Sequence, residues 1–217
     1  MKRLKRKQLK EDEFVSIVTR LFNFAKRRKK EIVIFMSLIV FSLLLFLGQK
    51  LVSIQSAKSQ NRLLKEIIEL SESLEVHPEN IDKLIKLGGR GKFSRLAFLK
   101  VATYWSERGE FEKALQVLER VSPQRKDIFY FQAQDLKAQI FLKQNKPDKA
   151  IEIYAEIERK KPKEYPLDAI YFNKAKAYEE KGDLASALTL YKKLKDEFAH
   201  TYYGFEASLK MERLERR

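Results

Sequence analysis

Hydrophobic residues form one unbroken run near the N-terminus. Residues 32–47 read IVIFMSLIVFSLLLFL, and the apolar stretch extends to Ile54 with Lys50 as its only charge, about 23 residues in all. At ~1.5 Å per residue, a helix of that length crosses a hydrocarbon core of roughly 30 Å. The pattern therefore predicts a single transmembrane anchor over residues 31–54.

A cleaved signal peptide is the main alternative for this run. Its apolar region would usually span ~7–15 residues and end in small residues at the cleavage site. Here the run is longer, and the residues that follow it, Gln49 to Ser53, contain no Ala-x-Ala pattern. These two differences favour an uncleaved anchor.

Beyond residue 55 the hydrophobic pattern becomes helical. Apolar residues recur three and four positions apart, and no stretch shows the alternation with a period of two that marks a half-buried strand. The 217 residues include only 7 glycines and 5 prolines, which favours long helices joined by short turns. The predicted fold class is all-α.

Three segments align without gaps around paired alanines that are separated by eleven residues. The pairs are Ala102/Ala114, Ala138/Ala150 and Ala175/Ala187. Five positions before each second alanine stands a residue that tolerates a left-handed backbone: Gly109, Asn145 or Gly182. Three positions after each first alanine stands an aromatic residue: Trp105, Phe141 or Tyr178. Small residues let two helices approach closely, and the aromatics fill the space between hairpins, so each segment is predicted to be a helical hairpin.

The alignment predicts the organisation of the rest of the chain. A repeat domain over 93–217 contains hairpins at about 94–121, 127–160 and 166–198, followed by a capping helix at about 202–215. A helical neck or N-terminal cap over 55–92 contains helices at 58–75 and 79–88. Gly88, Gly89 and Gly91 are expected to form a flexible turn and not a phosphate loop, because Phe93 replaces the required Ser or Thr.

The hairpin spacing of 36 and 37 residues resembles the 34-residue period of tetratricopeptide repeats. In such arrays the first helix of each hairpin lines a concave surface. The register places fifteen candidate partner-binding residues there: Leu96, Leu99, Thr103, Ser106 and Glu107; Gln132, Asp135, Gln139, Leu142 and Lys143; Ala169, Phe172, Lys176, Glu179 and Glu180. This mixed lining suits an extended peptide or an amphipathic helix, although the same positions are equally compatible with plain repeat surface.

The net charge of +15 is concentrated before the apolar run. Residues 1–30 carry twelve Lys or Arg against three acids, whereas the remainder is only mildly basic. This distribution suits an anionic membrane surface better than a nucleic-acid interface, which stays open as the less favoured alternative. Phe14, Ile17, Val18 and Leu21 recur at helical spacing, either in an amphipathic helix at the headgroups or in an extension of the anchor.

Five consecutive cations flank the apolar run on its N-terminal side: Lys26, Arg27, Arg28, Lys29 and Lys30. Short flanks rich in Lys and Arg stay in the cytoplasm. We therefore predict that residues 1–30 are a cytoplasmic segment and that everything after residue 54 lies on the opposite side of the membrane.

No pattern of catalytic or metal-binding residues is evident. The absence of cysteine excludes disulfides, thiolate metal sites and cysteine nucleophiles. The two histidines, His77 and His200, are far apart in sequence and lack acids at metal-site spacing. We expect no enzyme activity, no cofactor, no metal and no small-molecule substrate.

The layout as a whole resembles the bacterial YfgM-type family of ancillary Sec-translocon subunits. The resemblance is best in RLAFLKVATYWSERGEFEKALQVLERV, DLKAQIFLKQNKPDKAIEIY and AIYFNKAKAYEEKGDLASALTLYKKL. It implies an accessory protein of the translocon at the inner membrane, whose periplasmic array meets translocon subunits, exported chains or periplasmic chaperones. The final HTYYGFEASLKMERL departs from the family and is more similar to closing helices of envelope-assembly proteins. One alternative is a structural adaptor of another cell-envelope complex. A second, which rests only on residues 1–30, is a protein regulated through its cytoplasmic segment.

Overall fold

The computed structural model describes Thr19 and residues 26–89, 93–160 and 165–216. All regular secondary structure in these ranges is helical, which confirms the all-α prediction. The helices are α1 (Lys29–Glu72), α2 (Asn80–Leu87), α3 (Ser94–Glu107), α4 (Phe111–Glu119), α5 (Ile128–Lys143), α6 (Pro147–Lys160), α7 (Leu167–Lys181), α8 (Leu184–Glu197) and α9 (Tyr202–Glu215). The chain divides into two compact units, Met1–Ser59 and Gln60–Arg217.

The first unit contains the apolar part of α1. Its large apolar side chains are exposed, from 39% for Ile39 to 70% for Val52. Within the described ranges, α1 is the one helix long and apolar enough to cross a membrane. The five flanking cations are exposed, and Arg28 pairs with Glu31 at 2.9 Å. The amphipathic pattern at Phe14 to Leu21 lies outside the described residues.

The second unit is a stack of helix pairs joined by short turns. From α3 onwards each helix packs against the next one along the chain. The first helices of successive pairs, α3, α5 and α7, also pack against one another, and α9 packs against α7 in the same way. Nearest-neighbour packing of this kind builds an α-solenoid. The predicted array of three hairpins and a closing helix is confirmed.

The three hairpin turns share one backbone geometry. Gly109, Asn145 and Gly182 have positive φ angles of 77°, 57° and 86°. The N–H of the residue after each of them donates to the carbonyl of the aromatic residue five positions back, on Trp105, Phe141 or Tyr178, at 2.8–2.9 Å. These bonds satisfy carbonyls that the helix end would otherwise leave unpaired. The turn therefore reverses the chain at the same point in every hairpin.

Alanines lie where the two helices of each hairpin cross. All six register alanines are completely buried: Ala102, Ala114, Ala138, Ala150, Ala175 and Ala187. Large side chains such as Tyr154 and Tyr191, both completely buried, fill the space around them. The buried residues form three clusters along the array, one centred on α3 and α4, one on α5 and α6, and one on α7 and α8.

The region before the array differs from the sequence prediction. Residues 58–72 do not begin a separate neck helix, because no Pro or Gly interrupts the backbone hydrogen bonds after Gly48 and α1 continues to Glu72. Ile67 is completely buried in the first core cluster. Gly88 caps the end of α2: its N–H donates to Leu84 O at 3.0 Å, and a Cβ there would lie 2.2 Å from Phe98. Gly91 lies outside the described residues.

Helix α9 closes the array where the capping helix was predicted. The Thr201 hydroxyl accepts from the N–H of Gly204 at 3.1 Å and caps its first turn. A Cβ at Gly204 would lie 1.9 Å from the backbone oxygen of Phe198, so glycine permits the close approach of α9 to the end of α8. Tyr203 packs against Phe172 of α7 with ring centroids 5.3 Å apart.

Candidate partner-binding groove

A polar cavity opens between α5 and α7. It has a volume of about 430 Å³ and is lined by Gln139, Leu142 and Lys143 of α5, Asn173, Lys176 and Glu180 of α7, and Tyr203 of α9. We call it the α5–α7 cavity. Five of the fifteen groove candidates from the sequence line this cavity: Gln139, Leu142, Lys143, Lys176 and Glu180.

Helix periodicity explains which side chains face the α5–α7 cavity. Gln139, Leu142 and Lys143 are spaced by three and four positions, which places them on one face of α5. Asn173, Lys176 and Glu180 have the same relation on α7. Because α5 and α7 are the first helices of adjacent hairpins and pack side by side, the two faces form neighbouring walls.

The α5–α7 cavity contains two lysines without ion-pair partners among the described residues. Lys143 donates to the Ser106 hydroxyl at 3.5 Å, and no carboxylate in the described ranges lies within ion-pair distance of Lys143 or Lys176. The amides of Gln139 and Asn173 add donors and acceptors, and Leu142 adds an apolar contact. The cavity can therefore hold a carboxylate next to a small apolar group.

Asp135 supports the floor of this region from α5. Its carboxylate accepts from the Tyr165 hydroxyl at 2.9 Å and from the Asn173 amide at 3.4 Å, which ties α5 to α7. Burial, followed by the negative charge of Asp135, raises the pKa of Tyr165 and the pKa of Tyr154. Both tyrosines remain neutral, and Asp135 acts as a structural acceptor.

The other groove candidates lie outside the α5–α7 cavity. The buried ones are Leu99, Ser106, Ala169 and Phe172; the partly buried ones are Leu96, Thr103, Asp135 and Glu179; the exposed ones are Glu107 and Gln132. Ser106 is only 4% exposed and Leu99 only 7%, so a partner can touch little of either side chain. Phe172 is covered because Tyr203 packs on it.

Sequence reasoning missed two residues of the α5–α7 cavity. Asn173 follows the predicted Phe172 and shares the spacing of Lys176 and Glu180, so helical periodicity could have found it. Tyr203 enters from α9, and no local pattern shows how that helix docks. Burial, followed by the charge of Asp135, raises the pKa of Tyr203, so its hydroxyl stays a donor.

The described part of the chain contains no group of three or more His, Cys, Asp or Glu side chains placed to hold a metal ion. His77 lies 3.0 Å from Glu79, two residues along the chain. The groups near the α5–α7 cavity are suited to hydrogen bonding and ion pairing with a polypeptide.

Comparison with known proteins bears on the same region. Residues 136–200 match the family model of the tetratricopeptide repeat. The match covers most of the second hairpin and all of the third, and contains every residue of the α5–α7 cavity except Tyr203. The chain has no match among curated proteins or among solved structures. Tetratricopeptide repeats mediate contacts between proteins, so the array is an interaction scaffold.

Proposed function

We propose that this protein is a membrane-tethered tetratricopeptide scaffold that binds a segment of another protein in the α5–α7 cavity. The observation that carries the proposal is the cavity itself, a recess of about 430 Å³ between the first helices of two repeats, whose two lysines have no ion-pair partner in the part of the chain that the structure describes. Recognition of an extended segment or an amphipathic helix by such a recess combines an apolar anchor with a few fixed polar contacts.

The charge of the α5–α7 cavity suggests what the partner segment contains. Lys143 and Lys176 together outnumber the single acid on the cavity wall, Glu180. A partner carboxylate can pair with the two lysines, while an adjacent apolar side chain contacts Leu142. We infer that the bound segment carries Asp or Glu next to an apolar residue.

The tether in this proposal is the apolar part of α1. Apolar side chains exposed on every side of a helix are unfavourable in water and favourable in a bilayer. The five cations from Lys26 to Lys30 favour a cytoplasmic N-terminus, with the array on the outer side of a bacterial inner membrane. A cleaved signal peptide is the alternative for an apolar helix near the N-terminus, and a reporter fusion distinguishes it from a retained anchor.

We propose that the scaffold works in protein export, as an accessory of the translocon within the network of periplasmic chaperones. This step rests on the resemblance to the YfgM-type family and on the proposed side of the membrane. The partners would be translocon subunits, exported chains or periplasmic chaperones. A structural adaptor of another envelope complex would show one fixed partner instead of several transient ones.

Photocrosslinking in intact membranes tests the partner-binding site. A photoreactive residue at Gln139 is compared with one at Glu152, which is exposed on α6 and outside the cavity. We expect crosslinks to translocon subunits or exported chains from position 139 alone. Equal products from both positions, or crosslinks that include neither class of partner, would contradict the proposal.

A charge-reversal pair tests the chemistry of the α5–α7 cavity. Lys143→Glu with Lys176→Glu should reduce crosslinking from position 139 roughly tenfold, because the cavity then repels an acidic partner. The matched control is Lys192→Glu with Lys195→Glu, which reverses the same number of charges at exposed positions on α8. An equal loss in both pairs would assign the effect to overall charge and count against the cavity.

Reporter fusions test the tether. Alkaline phosphatase fused after Arg217 should be active and remain with the membrane fraction, because the array is proposed to lie outside. An inactive fusion would contradict the orientation, and an active fusion released from the membrane would identify a cleaved signal peptide.

A further inference from the structure

A second cavity lies at the other end of the array, away from the α5–α7 cavity. It is an open recess of about 720 Å³, bordered by the turn after α2, the start of α3, and the segment from the end of α4 to residue 125. Its described lining contains three arginines and no acid: Arg95, Arg120 and Arg125, with Gly88, Gly89, Ser94, Phe98, Ser122 and Gln124. We call it the arginine cavity.

The scaffold fixes the wall that carries these arginines. Arg95 is 12% exposed and donates to Asp127 at 2.9 Å and to the carbonyl of Arg125 at 2.7 Å. The contact holds the segment after α4 against α3. The guanidinium of Arg120 lies 5.0 Å from the centre of the Phe98 ring, and that ring packs on Gly88. These contacts hold the backbone at Arg125 and place Arg120 on the Phe98 ring, while both side chains are exposed to solvent.

Two positive charges in the arginine cavity have no compensating acid in the described part of the chain. Asp127 pairs with Arg95, whereas no carboxylate of the described residues lies within ion-pair distance of Arg120 or Arg125. Two guanidinium groups on one recess repel each other unless an anion lies between them. Gln124 adds an amide and Ser122 a hydroxyl, which can bind further oxygens.

We propose that the arginine cavity binds a phosphate group, carried either by a lipid headgroup or by free inorganic phosphate. Guanidinium groups bind phosphate oxygens through paired N–H donors, and two uncompensated arginines match the charge of a phosphate dianion. No covalent step is involved. The site is independent of the α5–α7 cavity, and either could exist without the other.

Calorimetric titration of the full chain in neutral detergent, with inorganic phosphate at constant ionic strength, provides the first measurement. The second is hydrogen exchange of residues 120–127 in phosphatidylcholine nanodiscs with or without phosphatidylglycerol. If phosphate binds in the titration but phosphatidylglycerol does not slow the exchange, the ligand is free phosphate. Slower exchange that depends on phosphatidylglycerol assigns the lipid headgroup. An absence of both effects overturns the proposal.

Paired variants test whether the arginines are responsible. Arg120→Gln with Arg125→Gln should weaken the observed effect roughly tenfold or more, because charge-assisted hydrogen bonds are lost. Arg213→Gln with Arg216→Gln removes the same charge from the exposed end of α9 and should leave the effect unchanged. The proposal would be overturned if the Arg120/Arg125 double variant bound like the wild type, or if the Arg213/Arg216 double variant weakened binding equally.

If the Arg120→Gln, Arg125→Gln double variant does not fold, a double lysine variant tests the role of the two arginines. Arg120→Lys with Arg125→Lys keeps both charges and the contact with Phe98, but lacks the planar guanidinium. Binding weaker than in the wild type supports recognition by the two guanidinium groups. Wild-type affinity in a folded lysine pair overturns it.

Discussion

Lys210 on α9 donates to both carboxylate oxygens of Glu179 on α7, at 3.1 Å each. Glu179 also accepts from the Tyr191 hydroxyl of α8. One carboxylate therefore joins the last three helices of the array. Glu179 was a candidate groove residue, and these contacts commit it to holding α9 in place.

Removing the charge of Lys210 should loosen α9. In Lys210→Met, Glu179 loses the two contacts from Lys210 and keeps the one from Tyr191. We expect a decrease of about 0.5–1 kcal/mol in the free energy of unfolding, since the Lys210–Glu179 pair is partly exposed. Hydrogen exchange should accelerate first in α9. Lys192→Met, on the exposed face of α8, is the control. Unchanged exchange in α9 would show that the aromatic contacts alone hold this helix.

The buried alanines should not tolerate enlargement. Ala150→Leu places a larger side chain where the helices of the second hairpin cross, and overpacking should lower the free energy of unfolding by ~1–3 kcal/mol. Ala155→Leu on the same helix is exposed and should change it little. Chemical denaturation of both variants measures the difference. If the two variants lost equal stability, the helices around position 150 would have to move apart at little cost.

Because Gly182 has a positive φ, the stability lost on its substitution should depend on which residue replaces it. Gly182→Ala should lower the free energy of unfolding by about 1 kcal/mol, because a Cβ strains a left-handed backbone. Gly182→Asn should be milder, since Asn145 adopts the same conformation in the second hairpin. Thermal melting ranks the two variants, and a greater loss in the Asn variant would contradict this account.

Asp183 caps the first turn of α8, and the pKa of its carboxyl should show whether the capping hydrogen bonds form. Its carboxylate accepts from the hydroxyl of Ser186 at 2.7 Å and from the N–H of Ser186 at 3.1 Å, and these bonds lower its pKa. A lowered pKa favours the folded state above the unfolded pKa of about 3.9, and this contribution is lost as the pH falls through the folded value. Carboxyl NMR measures the titration.

Substitution of Ser186 tests the cause of that shift. Ser186→Ala removes the hydroxyl donor and should move the pKa of Asp183 back towards its usual value. Thr189→Ala on the same helix removes a hydroxyl that bonds to Ala185 instead, and should leave Asp183 unchanged. A low pKa that persists in Ser186→Ala would assign the shift to the backbone N–H.

The hairpins were predictable because their determinants are local. Ala102, Gly109 and Trp105 are close in sequence, and the same three roles recur twice at constant spacing. The continuity of α1 was missed because the change from apolar to polar residues near Ile54 marks a change of environment and not a helix end. The recess at Lys143 and Lys176 was only partly predictable, since Tyr203 reaches it through the packing of α9.

The division of the core into three clusters has a consequence for how the array comes apart. Among the described residues, the last cluster, around Tyr191 and Ala207, has no side chain in common with the first, around Ala102 and Val117. Opening of the C-terminal end therefore leaves most apolar contacts at the other end intact. Cleavage in the C-terminal hairpin should accordingly leave a protected fragment that contains the end of α1, α2 and the first hairpin.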